Sequence, residues 1–186
     1  MSTGPSAARF SCRFCAAPLS HSLVSLGASP LANSFLTADM LTRAEPIYPL
    51  NVLVCDSCLL VQLPEFVPAK EIFSDYAYFS SFSDSWLAHC RSYTEAMIGR
   101  FGLGHDTLVT EIASNDGHLL QYFKQRGVPI CGVEPSFTVA KAARERGVPT
   151  IEDFFGTQLA RELAAQGRRP RLLLGNNVLA HVPDLN

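Results

Sequence analysis

The sequence predicts an α/β protein with a small N-terminal module (residues 1–68), a helical connector (69–103) and a partial Rossmann-like domain (104–186). Three observations predict this organisation. Two Cys-x-x-Cys pairs lie in a proline-containing first third, and one long helical periodicity follows them. From Thr107 onward, strand-like and helix-like segments alternate about every twenty residues, which is typical of βαβ units around a parallel sheet.

The first module contains four of the six cysteines, in CRFC and CDSC, together with short apolar runs that predict strands. The spacing predicts that Cys12, Cys15, Cys55 and Cys58 are the thiolate ligands of one tetrahedral Zn²⁺. Because all four coordination positions are taken by protein, we expect a structural metal. Reduced thiols, a disulfide redox pair and an iron–sulfur cluster remain alternatives.

The connector contains the segment DSWLAHCRSYTEAMIGRF, in which apolar residues recur every three or four positions. This pattern predicts a helix with one apolar face, capped by Ser83 or Asp84. Cys90 lies on that face and Cys131 lies in a predicted strand, so we expect both thiols in the core.

The last part alternates the strands TLVTEIA, VPICGVEP, VPTIED and RLLLGNNVL with three helices, each ended by a glycine. These glycines are Gly127, Gly147 and Gly167. In such a sheet, ligands bind at the carboxyl ends of the strands, beside the first strand-to-helix turn. That turn is ASNDG, residues 113–117.

This turn lacks the G-x-G-x-x-G pattern with which backbone amides approach a pyrophosphate. A ligand with an adenosine but no phosphates, such as S-adenosylmethionine, needs no such cradle. Glu111, Ala113, Asn115 and Gly117 fit the E-x-G-x-G-x-G frame of class I methyltransferases, with Ala and Asn in place of two glycines. The alternative is a capped turn in which Ser114, Asn115 or Asp116 bonds the helix amides.

Polar residues follow the other strands too. Glu134 follows the second strand and is placed to accept hydrogen bonds from the ribose hydroxyls of an adenosine, in S-adenosylmethionine or in NAD. Asp153, beside Glu152, offers a carboxylate to an adenine amino group, and Phe154 and Phe155 are candidates to flank the ring or to lie in the core. Asn176, Asn177 and His181 follow the fourth strand, and a lone histidine there is more often structural than catalytic.

Composition and charge argue against several functional classes of protein. The net charge is -2, from 15 basic and 17 acidic residues, which argues against a nucleic-acid partner. No signal peptide or membrane-length apolar run is evident, so we expect a cytoplasmic protein without a membrane partner. Other functions remain open: an NAD-dependent oxidoreductase would need the missing glycines, and a zinc-ribbon adaptor would need a basic or aromatic surface. Oligomeric state is not specified.

Several long motifs, in order, resemble the sugar C-methyltransferases that act on nucleotide-linked 4-keto deoxyhexoses. They are CRFC, SLGASPLANSF, YPLNVLVCDSCLLVQL, FSDYAYFSSFSDSW, EIASNDGHLLQYF, GVEPS and GNNVLAHVPDLN, and they run over nearly all of the chain. The resemblance implies an N-terminal zinc-binding domain, a domain that binds S-adenosylmethionine, a C-terminal domain and a nucleotide-sugar substrate.

The resemblance also implies that Tyr76, Tyr78, Ser80 and Ser81 line the junction where the sugar binds, the alternative being a plain loop with buried tyrosines. The chain ends at Asn186, soon after the predicted fourth strand. The resemblance implies that the family's catalytic base lies in a later part of the family's sequence, so we expect it beyond residue 186. We expect the chain alone to bind zinc, to transfer no methyl groups and to associate through an exposed strand edge.

Overall fold

The computed structural model describes residues 10–74, 76 and 78–186. The chain divides into two compact units. One contains the chain through Ala69 together with Leu179–Asn186, and the other contains Lys70–Val178. Within the described residues, no helix is long and apolar enough to cross a membrane.

The described part of the first unit contains five short or irregular strands. Strands β1 (Phe10–Ser11) and β2 (Pro18–Leu19) pair antiparallel. Strands β3 (His21–Ser29), β4 (Tyr48–Val54) and β5 (Val61–Gln62) form a second antiparallel sheet, in the order β3-β4-β5. Strand β3 is almost entirely exposed, so the sheet buries little. The described core of this unit is a small cluster of Cys12, Leu19, Leu53 and Cys55.

The helices of the second unit follow the predicted pattern. They are α1 (Ala69–Phe73, beginning at the boundary), α2 (Asp84–Phe101), α3 (Leu120–Gln125), α4 (Phe137–Glu145) and α5 (Thr157–Ala165). Ser83 caps α2, since its hydroxyl accepts a hydrogen bond from the Trp86 amide at 3.3 Å. Gly127, Gly147 and Gly167 follow the last turns of α3, α4 and α5 with φ of 74°, 74° and 76°, as predicted.

The sheet of this unit is parallel and has the order β8-β7-β6-β9. Its strands are β6 (Val109–Ile112), β7 (Ile130–Val133), β8 (Thr150–Ile151) and β9 (Leu172–Gly175). In sequence order this is 3-2-1-4, the arrangement of a Rossmann sheet, with its topological switch point between β6 and β9. The predicted α/β fold, with a four-cysteine module and a Rossmann-like parallel sheet, is confirmed.

The core of the second unit lies between α2, α3 and the sheet. It includes the fully buried Val109, Leu120 and Phe123, and Trp86, Leu87 and Tyr93 of α2 pack against it. Cys90 and Cys131 are both buried, as predicted for core thiols. This packing fixes the carboxyl end of β6, where the polar residues of the candidate site begin.

Candidate functional site

Two knuckles with the same backbone geometry bring the four predicted thiols together. In the first, the Ala16 amide donates to the Cys12 carbonyl and the Cys12 amide donates to the Ala17 carbonyl. In the second, the Leu59 amide donates to the Cys55 carbonyl and the Cys55 amide donates to the Leu60 carbonyl. The residue after each second cysteine has a positive φ, 61° at Ala16 and 63° at Leu59. These turns direct both sulfurs of each pair to one point.

The four sulfur atoms all lie within 4.8 Å of one another. Cys12 Sγ is 3.6 Å from Cys58 Sγ, and Cys15 Sγ is 3.5 Å from Cys55 Sγ. A tetrahedron with metal–sulfur bonds of about 2.3 Å has sulfur–sulfur edges of about 3.8 Å. The cluster therefore has the donor set and the size for one tetrahedral Zn²⁺.

Hydrogen bonds from backbone amides favour the thiolate form at two of the four sulfurs. The Cys15 amide lowers the pKa of Cys12 to about 6, and the Cys58 amide lowers the pKa of Cys55. At Cys15 and Cys58 the amides of Ala17 and Leu60 also lower the pKa, but the neighbouring thiols and burial outweigh them and raise it, at Cys58 to about 12.

Gln62, itself buried, donates from Nε2 to Cys12 Sγ at 3.2 Å and accepts from the Arg13 amide at 3.0 Å. Sequence reasoning missed Gln62, because only the pairing of β4 with β5 places it beside the first knuckle.

Arg13, between the two cysteines of the first knuckle, binds a segment far away in sequence. Its Nη1 atom donates to the carbonyl oxygens of Ala180 and Val182, at 3.3 and 3.2 Å. Its Nη2 atom donates to the Leu63 carbonyl at 2.7 Å. Asn186 adds a bond from Nδ2 to the Phe14 carbonyl at 3.0 Å. The Leu179–Asn186 segment, which includes His181, is thereby fixed to the metal-binding knuckle.

In the second unit, the turn after β6 explains the altered glycine frame. Ala113, Asn115 and Gly117 all have positive φ, of 51°, 50° and 77°. These are the positions at which the frame places glycines, and the left-handed conformation is the physical reason for that preference. The backbone of a glycine-rich turn is thus kept while two positions carry side chains. Asparagine tolerates this conformation well, whereas alanine adopts it at a cost of about 1–2 kcal/mol.

Two glycines let this turn lie close to its neighbours. A Cβ on Gly132 of β7 would lie 2.4 Å from Ser114 Oγ, and one on Gly117 would lie 2.7 Å from Val148 Cγ2. Ser114 is fully buried, and its hydroxyl has no hydrogen-bond partner within the described residues. The turn therefore packs against β7 with backbone and small side chains.

Glu111, the acidic residue of strand β6, is almost completely buried. Its Oε1 atom accepts a hydrogen bond from Asn176 Nδ2 at 3.0 Å, across the pairing of β6 with β9. Its Oε2 atom is buried and has no partner in the described part of the chain. Burial raises the pKa of Glu111 to about 7. A buried acceptor oxygen is thus free at the switch point, where a cationic group would stabilise the ionised form.

Glu134 holds the loops at the ends of β6 and β7 together. Its Oε2 atom accepts from the Asn115 amide at 3.0 Å and its Oε1 atom accepts from the Ser136 amide at 2.9 Å. Burial raises the pKa of Glu134, against these two donors, which lower it. Each carboxylate oxygen has a further lone pair, so this side chain retains capacity to accept from a ligand.

The 78–82 segment, which consists of Tyr78, Phe79 and the 3₁₀ helix Ser80–Phe82, contacts this turn directly. Asn115 Nδ2 donates to the Tyr78 carbonyl, and Asn115 Oδ1 accepts from the Ser80 amide, both at 2.8 Å. Tyr76 precedes the segment, and its amide donates to Ser136 Oγ at 3.3 Å. The ring centroids of Tyr76 and Tyr78 lie 6.2 Å apart. With the hydrogen bonds to Asn115, this places the predicted sugar-binding residues beside the turn.

Asp116 forms the centre of a charged cluster that sequence reasoning missed. It is fully buried, and its Oδ2 atom accepts from Ser81 Oγ at 2.5 Å and from Arg146 Nη1 at 2.7 Å. His118 Nδ1 lies 3.6 Å from Asp116 Oδ1. Burial opposes ionisation, but the His118 ring, Ser81 and Arg146 outweigh it and hold the pKa of Asp116 at about 2. The sequence showed Asp116 only as a candidate helix cap.

Other predicted site residues lie at the periphery or in the first unit. Asp153 is exposed, and its Oδ1 atom accepts from the Phe154 amide at 2.7 Å, while Phe154 is partly exposed. Asn177 is exposed and has a positive φ of 55°. The structure therefore brings Glu111, Glu134 and Asn176 together at the turn after β6, which also contacts the 78–82 segment. Asp153 and Asn177 lie at the surface instead.

Comparison with known proteins identifies a matching family model and a similar characterised protein. Residues 12–73 match a methyltransferase-associated family described as "Putative zinc binding domain". Over 175 residues, 94% of this chain, the sequence is 34% identical to the C-methyltransferase NovU of Streptomyces niveus. The chain spans 42% of the length of that relative.

Among solved structures, a SAM-dependent methyltransferase from Thiobacillus denitrificans in complex with S-adenosyl-L-homocysteine is 16% identical, with a TM-score of 0.28. The match covers 62% of this chain and 36% of that one. The [4+2]-cyclase SpnF is 18% identical, with a TM-score of 0.31, covering 46% and 34%. TM-scores this low carry no information on activity.

Proposed function

We propose that this chain provides the zinc module and the cofactor-binding edge of an S-adenosylmethionine-dependent C-methyltransferase that acts on a nucleotide-linked 4-keto deoxysugar. The single observation that carries the proposal is the 34% identity to a C-methyltransferase over 94% of the chain. The local geometry at the carboxyl ends of β6, β7 and β9 supports it independently.

The turn after β6 fits an adenosine ligand without phosphates. Its positive-φ backbone at Ala113, Asn115 and Gly117 follows the glycine frame, but two of these positions carry side chains where a pyrophosphate site has glycines for close backbone approach. Glu111 Oε2 is a buried acceptor without a partner in the described residues, which suits the amino group of a methionine moiety. Glu134, one strand away, suits ribose hydroxyls. These residues fit S-adenosylmethionine.

The chemistry places further requirements on the site. When bound, the cofactor supplies an electrophilic sulfonium methyl group. In a 4-keto sugar, a proton α to the carbonyl is removed by a base, and the resulting carbanion must face that methyl group. Tyr78, Ser80 and Ser81 lie at the turn, where they would orient the sugar. No residue of this chain is assigned as the base.

Calorimetry distinguishes this function from an NAD-dependent oxidoreductase. The chain should bind S-adenosylhomocysteine and should not bind NADH at comparable concentration. Glu134→Ala should weaken S-adenosylhomocysteine binding by roughly 2–4 kcal/mol, since charge-assisted hydrogen bonds contribute about 1.5–3 kcal/mol each and are not additive. Glu95→Ala, at an exposed position of α2 away from the candidate site, is the control and should leave the affinity unchanged. Tight NADH binding without S-adenosylhomocysteine binding would overturn the proposal.

A further inference from the structure

We propose that Asp116 and Arg146 are positioning residues that anchor the 78–82 segment to the turn after β6 and so fix Asn115 and Glu134 for ligand binding. The anchoring contacts are independent of any ligand. Their effect on binding rests on the proposed function, because the ligand in question is S-adenosylmethionine or its product.

A single guanidinium nitrogen connects three groups in this cluster. Arg146 Nη1 donates to Asp116 Oδ2 at 2.7 Å, to Ser81 Oγ at 3.0 Å and to the Asp116 carbonyl at 3.3 Å. Ser81 Oγ in turn donates to Asp116 Oδ2 at 2.5 Å. The Asp116 side chain is completely buried, whereas that of Arg146 is 43% exposed. Removal of the arginine would leave a buried carboxylate without its cationic partner, which is strongly unfavourable.

From Ser81 the contacts continue to the candidate ligand residues. The neighbouring Ser80 amide and the Tyr78 carbonyl hold both ends of the Asn115 side-chain amide. Asn115 has a φ of 50°, an uncommon backbone conformation that persists where surrounding contacts fix it. The Asn115 amide then donates to Glu134 Oε2. Each step is a direct hydrogen bond or a covalent connection between neighbouring groups, so loss of the anchor should loosen the segment, Asn115 and Glu134 together.

The neighbouring helix α4 and its end provide a matched control. Arg144, two residues before Arg146, pairs with Glu152 at 3.0 Å and has a similar side-chain exposure of 38%. This ion pair does not involve the 78–82 segment in the described contacts. Arg144→Ala therefore removes the same type of side chain from an arginine–carboxylate pair without touching the anchor, although its partner Glu152 is 39% exposed and not buried.

Hydrogen exchange of the Ser80 amide measures the anchor directly. Arg146→Ala should speed this exchange at least tenfold, Arg146→Lys should give an intermediate rate because one cation is retained, and Arg144→Ala should leave it unchanged. Ser81→Ala removes a single hydroxyl and keeps the buried ion pair, so it should fold and still speed exchange severalfold. Unchanged Ser80 exchange in both Arg146→Ala and Ser81→Ala, or equal loosening in Arg144→Ala, would overturn the anchor.

Titration with S-adenosylhomocysteine then tests the positioning role. Arg146→Ala should raise its dissociation constant about tenfold, with Arg146→Lys between that variant and the parent chain. If the segment loosens while the affinity stays unchanged, the positioning role is wrong and the proposed function stands. If the parent chain binds no S-adenosylhomocysteine, the proposed function and the positioning role both fail, and exchange decides the anchor alone.

Discussion

The two units achieve stability by different physical means. In the second, α2, α3 and a parallel sheet enclose a continuous apolar cluster that includes Val109, Leu120 and Phe123. In the first, the described core cluster holds only four buried residues, Leu19 and Leu53 with two of the thiols, and strand β3 lies exposed. Burial of apolar side chains stabilises the second unit, at roughly 25 cal/mol per Å². We expect the first unit to require a bound metal, because so small a core cannot offset the entropy of chain ordering.

The largest expected effect is the loss of the metal. Cys55→Ser should remove zinc from the chain and unfold the first unit, since apparent zinc-binding free energies in such modules are about 10–16 kcal/mol and are largely folding free energy. The exposed Ser57→Ala, in the same knuckle, is the control and should keep one zinc per chain. Metal analysis and limited proteolysis measure both. A folded, protease-resistant first unit without metal would contradict the comparison.

In both units, the separation of the contacting residues along the chain explains how far the sequence could predict the structure. The cysteine spacing and the alternation of strands and helices are local patterns, so they predicted the metal cluster and the parallel sheet. The Asp116–Arg146 pair joins residues thirty positions apart at the ends of different elements, and only packing of α4 against the sheet brings them together. Arg13 and Gln62 were missed for the same reason, because their partners are distant in sequence.

A second prediction concerns Glu111 and pH. Its folded pKa, about 7, lies above the ordinary range, so the stability associated with its neutral form is present at low pH and is lost as pH rises through about 7. The second unit should lose up to roughly 3 kcal/mol of unfolding free energy between pH 5 and pH 8.5 from this group. Glu111→Gln should flatten that dependence in urea titrations.

The control for this change is Glu162→Gln, on the exposed face of α5, which should leave the pH dependence as it is in the parent chain. If Glu111→Gln shows the same loss of stability between pH 5 and pH 8.5 as the parent, then Glu111 is not the group responsible. The second unit would then owe its pH dependence to other groups.

A third effect, of similar size, comes from close packing at the turn. Gly117→Ala places a Cβ 2.7 Å from Val148 Cγ2 at a φ of 77°, so it should destabilise the second unit by about 2–4 kcal/mol. Gly99→Ala, in the exposed interior of α2 with no atom near the added Cβ, should stabilise by about 0.5–1 kcal/mol. Urea midpoints measure both, and equal effects at the two positions would show that the turn tolerates side chains.

The smallest effect should have the opposite sign. Ala113 is exposed and has a φ of 51°, so Ala113→Gly should relieve strain and stabilise the second unit by up to about 1 kcal/mol. The same substitution at exposed Ala88, inside α2, should destabilise by about 1 kcal/mol. Thermal melts compare the pair. Destabilisation at both positions would mean that the Ala113 backbone is not strained.

The most direct test of the central claim is region-resolved hydrogen exchange of the intact chain before and after removal of zinc by a chelator. If the metal stabilises the first unit and the apolar core stabilises the second, the amides of β4 should lose protection on chelation. Those of α2, β6 and β7 should keep it. Retained protection in β4 without metal, or simultaneous loss in both units, would contradict the account.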